Sequence, residues 1–228
     1  MINKLSIIIP VYNESRYVTK AVQLVKESEI GDLKKEIIIV DDGSTDGTWK
    51  KIKKLKVKAI RLKKNKGKGY AIKVGLKRVT GQVVIIQDAD LEYSPNEIKY
   101  LLQPIIEGYA DVVYGSRFMG DRPHRVLFFW HMIGNKILTL MSNMFTNLNL
   151  TDMETGYKVI RTEVFKKIKI EENRFGFEPE ITAKISKLNC RIYEVGISYQ
   201  GRRYEEGKKI NWRDGLWALW CILKYNLL

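Results

Sequence analysis

A pair of aspartates two residues apart is the strongest chemical feature of the sequence. Asp88 and Asp90 enclose Ala89 and come directly after the apolar segment 82–87. Carboxylates at this spacing can hold a divalent cation against a diphosphate, because Mg²⁺ and Mn²⁺ prefer hard oxygen ligands. A solvated turn explains most isolated Asp-x-Asp triplets. The position after an apolar segment, in line with the clusters described below, favours the metal-binding interpretation.

Two adjacent aspartates follow a second apolar segment. Asp41 and Asp42 come after residues 36–40 and lead into a turn-forming stretch that contains Asp46. Asp46 is expected to cap a helix, which is an ordinary role for an aspartate at such a turn. Two further carboxylates exceed what capping needs, and they can accept hydrogen bonds from a base N–H or from ribose hydroxyls. This segment therefore indicates a nucleoside-binding function.

A short glycine motif points away from two common nucleotide-binding folds. Gly67 and Gly69 flank Lys68, which begins like a dinucleotide-binding fingerprint, but Ile72 stands where the third glycine is required. A phosphate-binding loop needs Lys followed by Ser or Thr, and here Lys is followed by Gly. The motif supports neither an NAD fold nor an ATPase of these kinds, and it leaves open a loop that cradles a nucleotide.

These clusters must be placed by an ordered set of strands and helices. Apolar segments rich in β-branched residues predict strands at residues 5–11, 36–40, 57–62, 82–87 and 110–115. Helical patterns lie between them, so the sequence predicts an α/β fold with a mostly parallel sheet and helices on both faces. Ligands of such sheets bind beyond the carboxyl ends of the strands. We therefore expect the polar clusters to meet at one edge of the sheet.

The second half of the sequence is less regular and contains two strongly apolar segments. Residues 126–146 predict a helix whose polar residues recur every three or four positions among large apolar ones. Such a helix is either buried with its polar stripe outward or lies in a bilayer interface. The tail, residues 216–228, is rich in Leu and contains Trp217, Trp220 and Tyr225, which favours the interface. Further elements are expected at 157–160, 178–187 and 191–199.

The charge distribution points to an anionic partner. The chain of 228 residues has 40 Lys and Arg against 26 Asp and Glu, a net charge of +14. Eleven of the basic residues lie in the acid-free segment 50–68, which is either a solvated face or a surface that attracts anions. No interleaved aromatic residues accompany it, so nucleic acid is not the expected partner. Two cysteines, Cys190 and Cys221, exclude a disulfide framework.

Three motifs together resemble those of the family-2 inverting glycosyltransferases of GT-A (Rossmann-like) fold. They are Pro10-Val11-Tyr12-Asn13-Glu14, Asp41-Asp42-Gly43-Ser44 and Gln87-Asp88-Ala89-Asp90-Leu91-Glu92, and the resemblance covers about residues 3–120. Gly115-Ser116-Arg117-Phe118, the helix at 126–146 and the basic residues at 202–209 are similar to the polyprenyl-phosphate branch, which is typified by the dolichol-phosphate mannose synthases. That resemblance implies transfer of a hexose from a nucleotide-sugar of the GDP-mannose or UDP-glucose type to dolichyl or undecaprenyl phosphate, with inversion.

The resemblance also implies a role for each matching residue. The nucleotide-sugar would be held by Pro10, Tyr12, Glu14, Ile39, Asp41, Asp42, Gly67, Lys68, Asp88, Ala89, Asp90 and Arg117. Asp90 and Glu92 would bind Mg²⁺ or Mn²⁺, and Glu92 stands where the mannose synthases often have Gln. The acceptor phosphate would be positioned by Arg125, Arg202, Arg203, Lys208 and Lys209. Catalysis would rest on Asp88, which would hold the ribose or the sugar, and on Asp90 with its metal and Arg117, which would stabilise the leaving diphosphate.

The identity of the acceptor decides whether a general base is required. A phosphomonoester is already anionic near neutral pH, so it needs cations to position it rather than a base. A saccharide hydroxyl needs a base, for which the candidates are Asp152 and either Glu178 or Glu180. Asp152 could instead cap a turn, and Glu178 with Pro179 could begin a helix. A glycosyltransferase acting on a glycan hydroxyl is therefore the alternative. A non-catalytic basic module that binds nucleic acid or membrane is the third interpretation.

Length and hydropathy predict a single catalytic domain. Residues 1–120 form the expected nucleotide-sugar half, and residues 121–228 form the acceptor- and membrane-facing half, with amphipathic interfacial helices. No segment reaches the roughly 20 apolar residues of a spanning helix. The N-terminal residues do not resemble a signal peptide. We therefore expect a cytoplasmic protein that binds peripherally to the cytoplasmic face of a membrane.

Overall fold

A seven-stranded sheet forms the centre of the computed structural model, counted over the residues that it describes, which are 2–120, 122–126, 128–202, 205 and 212–228. Its strands are β1 (Lys4–Val11), β2 (Lys34–Asp41), β3 (Lys58–Arg61), β4 (Val83–Ile86), β5 (Val112–Ser116), β6 (Lys158–Arg161) and β7 (Ile192–Gly196). The strands predicted from the apolar segments are therefore present, with ends shifted by a few residues.

Six of the seven described strands point in the same direction. The strand order is β3-β2-β1-β4-β6-β5-β7. All neighbours pair in parallel except β6, which is antiparallel to both β4 and β5. The expected α/β, mostly parallel sheet is confirmed, and the carboxyl ends of β1, β2, β4 and β5 lie at one edge. β6 and β7 come from the second half of the chain, so both halves share this sheet.

Helices cover both faces of the sheet. In the described part of the chain they are α1 (Val18–Glu27), α2 (Thr48–Ile52), α3 (Lys68–Leu76), α4 (Ile98–Ile106), α5 (Phe129–Thr146), α6 (Thr162–Lys167), α7 (Phe177–Ser186) and α8 (Trp212–Leu227). Ile7 and Ile9 of β1 share a hydrophobic cluster with residues of α1 and α4, whereas Ile8 between them shares one with α3 and α7. This alternation follows from the two-residue period of a strand, and it buries both faces of the sheet.

Helix α5 buries its polar side and exposes its apolar side. Thr139 and Ser142 are only 4% and 1% exposed, whereas Leu140 and Met144 are 60% and 67% exposed. The alternative of a helix with its polar stripe outward is therefore wrong for the middle of α5. The helix also begins at Phe129, later than the sequence pattern predicts.

Helices α5 and α8 together present an apolar area, termed the α5–α8 surface below. Its exposed side chains include Phe129, Trp130, Leu140, Met144, Leu216, Trp217 and Trp220. The two helices pack against each other and against α7. Across the described residues, no helix combines the length and the apolar character needed to cross a bilayer.

Candidate active site

The loops that follow β1 and β2 are joined by hydrogen bonds. Asn13 adopts a left-handed backbone conformation (φ 52°), and its Oδ1 accepts a bond from the N–H of Thr45 (2.8 Å). Ser44 Oγ accepts a bond from the N–H of Asn13 (2.9 Å), and Thr48 Oγ1 accepts one from the N–H of Glu14 (3.0 Å). These bonds hold the two strand ends side by side, so the first two motifs meet as the sequence predicts.

Asp41 is completely buried at the end of β2. Its Oδ1 accepts a hydrogen bond from the N–H of Ser44 (3.1 Å), and its Oδ2 lies 3.3 Å from Nε of Arg61. Within the described residues, Oδ2 receives no hydrogen bond. An oxygen of this kind can accept a bond from a base N–H or a ribose hydroxyl, which is the role expected for Asp41.

Asp42 organises the segment that precedes α3. Its carboxylate accepts hydrogen bonds from the side chain of Asn65 (2.8 Å) and from the N–H groups of Lys66 (2.8 Å) and Gly67 (2.7 Å). Burial raises the pKa of Asp42, and the backbone bonds partly oppose that shift. Because the chain itself uses these acceptor positions, Asp42 holds the loop at 65–67, and its predicted assistance to the nucleotide would pass through that loop.

Four uncharged residues of the predicted donor site differ in their burial. Pro10 and Tyr12 are half-buried at the end of β1. Ile39 is completely buried inside β2, and Ala89 is also buried; both belong to the core on the side of α1. The side chain of Ile39 therefore packs beneath the strand end, so its contribution to donor binding would be indirect.

Lys68 connects two carboxylates of the site. Its Nζ lies 2.9 Å from Oδ2 of Asp88 and 3.4 Å from Oε1 of Glu178. Glu178 also accepts a short hydrogen bond from Lys158, whose side chain is completely buried. Although burial opposes its charge, Asp88 and Glu178 raise the pKa of Lys68 above its usual value. Glu178 is thus bound between two lysines rather than presented as an unpaired base.

Two ionisable groups near Glu178, the half-buried Glu154 and the buried Lys158, have no place in the sequence-based description of the site. Burial, reinforced by the charge of Glu178, raises the pKa of Glu154 to about 7. Burial also lowers the pKa of Lys158, which donates to the carbonyl of Met153 (3.0 Å). The sequence does contain an indication of the role of Lys158. It lies in an apolar predicted strand, where a lysine is rarely buried unless it is paired. Its partner could not be deduced from spacing.

Three carboxylates surround the guanidinium of Arg202. Its Nη2 donates to Asp90 Oδ2 (3.1 Å), its Nε donates to Glu92 Oε1 (3.2 Å), and its Nη1 lies 3.4 Å from Glu14 Oε2. Tyr199 donates its hydroxyl to Glu92 Oε2 (2.8 Å). Residues expected to bind the nucleotide, the metal and the acceptor phosphate are therefore brought into one cluster.

Asp90 and Glu92 are the two carboxylates that the sequence predicts to bind a metal. Burial raises the pKa of Asp90 to about 7, with further contributions from the charges of Asp88 and Glu92. Over the described residues, no three His, Cys, Asp or Glu side chains lie close enough to hold a metal. Two carboxylates still fit Mg²⁺ or Mn²⁺, because Mg²⁺ is usually bound by one or two carboxylates plus substrate phosphates. The guanidinium of Arg202 occupies this carboxylate cluster as a cation.

Arg117 and Asp152 form a bidentate ion pair beside these carboxylates. Nε and Nη2 of Arg117 each lie 2.7 Å from a different carboxylate oxygen, and the N–H of Arg117 adds a third bond (3.0 Å). Asp152 is completely buried. The guanidinium also lies 5.3 Å from the ring centre of Tyr199. Both oxygens of Asp152, a candidate base, are therefore engaged by an arginine.

The remaining residues predicted to bind the acceptor phosphate are only partly described. Arg125 is exposed, and its Nη1 donates to the carbonyl of Gly201 (3.0 Å). This bond joins the segment before α5 to the segment that carries Arg202. Arg203, Lys208 and Lys209 lie outside the described residues.

The fold has the architecture of the GT-A class of glycosyltransferases. A structure of glucosyl-3-phosphoglycerate synthase from Mycobacterium tuberculosis with Mn²⁺, UDP and glucosyl-3-phosphoglycerate matches with a TM-score of 0.77, over 98% of this chain and 80% of that chain, at 16% identity. A structure of that enzyme with Mg²⁺ and UDP matches with a TM-score of 0.76, over 98% and 79%. At this identity the likeness concerns the fold.

The chain belongs to glycosyl transferase family 2, whose family model matches residues 6–169, more than half of the chain. The dolichol-phosphate mannosyltransferase of Pyrococcus furiosus is 31% identical over 217 residues, and the alignment covers 91% of this chain and 60% of that protein. The UDP-N-acetylglucosamine–dolichyl-phosphate N-acetylglucosaminyltransferase of Methanococcus voltae is 28% identical over 97% of this chain and 95% of that protein. The undecaprenyl-phosphate 4-deoxy-4-formamido-L-arabinose transferase of Proteus mirabilis is 29% identical over 91% and 63%. The family predicted from the motifs is confirmed.

Proposed function

We propose that this chain transfers a hexose from a nucleotide-sugar to a polyprenyl phosphate, with inversion at the anomeric carbon and with Mg²⁺ or Mn²⁺ as cofactor. The names of the three relatives each contain dolichol, dolichyl or undecaprenyl phosphate. The donor would be of the GDP-mannose or UDP-glucose type, and UDP is the nucleotide in the matching solved structures. A glycan hydroxyl is the alternative acceptor.

The observation that carries this proposal is the pairing of every candidate base with a cation. Asp152 is bound to Arg117, Glu178 lies between Lys68 and Lys158, and Glu180 is paired with Lys184. Carboxylate oxygens that already accept hydrogen bonds from cationic side chains are not presented to the proton of an acceptor hydroxyl, which a general base must contact. A phosphomonoester needs no base, since it carries a charge of about −1.5 to −2 at pH 7. The site therefore suits an acceptor that arrives already ionised.

The reaction requires cations to bring two anions together. An oxygen of the acceptor phosphate attacks the anomeric carbon, while the bond from that carbon to the donor diphosphate breaks and its electron pair leaves with the nucleoside diphosphate. Attack from the face opposite the leaving group inverts the anomeric centre. Arg117 and Arg202 would lower the repulsion between the anions and stabilise the leaving group. A divalent metal at Asp90 and Glu92 would supply further neutralisation of the diphosphate.

The α5–α8 surface supports a lipid-linked acceptor. Trp130 and Leu140 of α5 and Leu216 and Trp220 of α8 are exposed, with exposures from 47% to 78%. Apolar faces of this kind are typical of helices that lie in a bilayer interface, and Trp favours the headgroup region. The basic segment 50–68 would add attraction to anionic lipids. We infer peripheral attachment to the cytoplasmic face of a membrane.

A partition assay tests this proposal. The protein is incubated with labelled GDP-mannose, UDP-glucose or UDP-N-acetylglucosamine, with dolichyl or undecaprenyl phosphate, and with Mn²⁺ or Mg²⁺. We expect label in a chloroform-soluble product, loss of that product in Asp90→Asn, and its retention in Glu163→Gln, which changes an exposed carboxylate of α6 away from the site. Label that enters only a water-soluble saccharide would contradict the proposal and support the hydroxyl-acceptor alternative.

A further inference from the structure

The carboxylate of Glu172 is buried where α8 meets the body of the protein. It accepts hydrogen bonds from Trp217 Nε1 (3.0 Å), Lys224 Nζ (3.0 Å) and Tyr225 Oη (2.8 Å). Burial opposes the charge of this group, but the three bonds outweigh it and lower the pKa of Glu172. Three donors of one helix therefore converge on a single carboxylate in the loop between α6 and α7.

The backbone of the same loop packs directly against the start of α3. A Cβ atom at Gly69 would overlap the carbonyl oxygen of Glu172, and one at Gly67 would overlap the carbonyl oxygen of Asn173. The N–H of Tyr70 donates to the Asn173 carbonyl (3.2 Å). Gly67 also has a positive φ of 105°, a conformation that favours glycine. The close approach of the Glu172 loop thus accounts for both glycines of the 67–69 motif.

The segment 65–70, which includes these glycines, contacts two donor-site carboxylates on its other side. The N–H of Gly67 donates to Asp42 (2.7 Å), and Nζ of Lys68 donates to Asp88 (2.9 Å). Both bonds require the segment to keep its present distance from the ends of β2 and β4. Small displacements of positioning groups are costly in a substrate site, because binding depends on their geometry.

Glu172 therefore lies between the α5–α8 surface and the candidate donor site. Its side chain holds α8, whose Leu216 and Trp220 are exposed, while its carbonyl group contacts the segment 65–70. Gly176, at the start of α7, adds a second close contact with α8, since a Cβ there would overlap Sγ of Cys221. Contacts therefore run without a break from α8 through the buried carboxylate residue Glu172 and the segment 65–70 to Asp42 and Asp88.

We propose that Glu172 is a positioning residue that couples the docking of α8 to the segment 65–70 and, through it, to donor binding. Without the charge of Glu172, Lys224 of α8 loses its ion-pair partner and the loop that carries Glu172 loosens. The segment 65–70 then loses the packing of its backbone against that loop. The expected loss of donor binding rests on the proposed function, whereas the expected loosening of the segment 65–70 does not.

Hydrogen exchange tests the structural part without any ligand. Amides of the segment 65–70 are compared in the wild type, Glu172→Gln and Tyr225→Phe, with Ile222→Val as the matched control, because Ile222 is buried in α8 without a hydrogen bond to Glu172 among the described residues. We expect faster exchange in the first two variants and wild-type exchange in the control. Equal exchange in all four proteins would overturn the proposal.

Nucleotide binding tests the functional part. Dissociation constants for UDP and GDP with Mn²⁺, and KM and kcat for the nucleotide-sugar used in the partition assay, are measured for the same proteins. Glu172→Gln is expected to weaken nucleotide binding and raise the donor KM by about fivefold with little change in kcat, and its effect should be non-additive with Tyr225→Phe, as for coupled neighbours. An equal loss in Ile222→Val would identify simple destabilisation and overturn the proposal. Faster exchange in a protein that binds neither nucleotide would support the coupling and contradict the proposed function instead.

Discussion

Arg117 and Asp152, 35 residues apart in the chain, meet through two 2.7 Å bonds, from Nε and Nη2 of the guanidinium to the two different carboxylate oxygens. A bidentate pair of this kind, termed a fork below, fixes the orientation of the guanidinium group more strictly than a single hydrogen bond does. Because Asp152 is completely buried, its main effect is to orient Arg117 at the candidate donor site. This relationship separates a positioning carboxylate from a general base, and the difference can be measured.

Asp152→Asn is expected to lower kcat/KM by about 100-fold, because Arg117 loses its orientation. It should also destabilise the fold by about 3–5 kcal/mol, since a buried guanidinium is left without its counterion. Rate profiles against pH and denaturant unfolding measure the two effects. If Asp152 only positions Arg117, any fall of kcat/KM at low pH that the wild type shows (the acidic limb of the profile) persists in the variant.

Arg117→Lys provides the matched control for that experiment. It keeps the positive charge and removes the fork, so we expect a loss of kcat/KM similar to that of Asp152→Asn. An acidic limb that disappears in Asp152→Asn, with unfolding unchanged and Arg117→Lys active, would identify Asp152 as a base.

Glu154→Gln is expected to stabilise the protein at pH 8 and to have a much smaller effect at pH 5. Burial raises the pKa of Glu154 to about 7 from an ordinary value of 4.5, so the folded state binds this proton more tightly than the unfolded state. The penalty from Glu154 therefore grows as pH rises from 4.5 through 7, and it amounts to about 3 kcal/mol at pH 8. Urea unfolding at both pH values measures it.

Glu163→Gln is the control for this prediction, because Glu163 is an exposed carboxylate of α6. Its substitution should alter stability equally little at both pH values. Equal stabilisation by Glu154→Gln at pH 5 and pH 8 would show that Glu154 is ionised normally in the folded protein.

Arg202→Met is expected to make the nucleotide-free protein bind Mn²⁺ about tenfold more tightly. The substitution removes the guanidinium that Glu14, Asp90 and Glu92 now share. A divalent cation would then take its place, because carboxylates without a positive partner attract one. Electron paramagnetic resonance of free and bound Mn²⁺ measures the affinity. Arg125→Met, which removes an arginine bonded to the neighbouring Gly201, should leave it unchanged. Weaker Mn²⁺ binding in Arg202→Met would contradict metal binding at Asp90 and Glu92.

Leu140→Glu combined with Leu216→Glu is expected to weaken binding to anionic phospholipid vesicles by about tenfold or more, since each leucine contributes about 1.5–3 kcal/mol when its side chain leaves water. Both side chains are 60% exposed on the α5–α8 surface. Co-sedimentation with vesicles measures the binding. Ile106→Glu is the control, because Ile106 is 52% exposed on α4. Equal losses in the double variant and the control would argue against this surface as the membrane contact.

The polar clusters could be assigned to one edge of the sheet because their placement follows from local patterns. An apolar strand followed by Asp41 or Asp88 predicts a carboxylate at a strand end, and parallel strands bring those ends together. The pattern of α5 was less informative. Its spacing identifies two faces but not which one is buried, and packing against α7 and α8 places Thr139 and Ser142 inside.

The sequence alone determined the α/β class, the carboxylates at the strand ends and the family to which the chain belongs, because these depend on local periodicity and on motifs read in order. Only the tertiary structure decided which charges meet. Arg202 reaches Glu14 across 188 positions, and Arg117 reaches Asp152 across 35. Such pairs depend on strand order, on the insertion of β6 between β4 and β5, and on how loops close over the sheet edge. None of these is encoded in the spacing of residues along a single element.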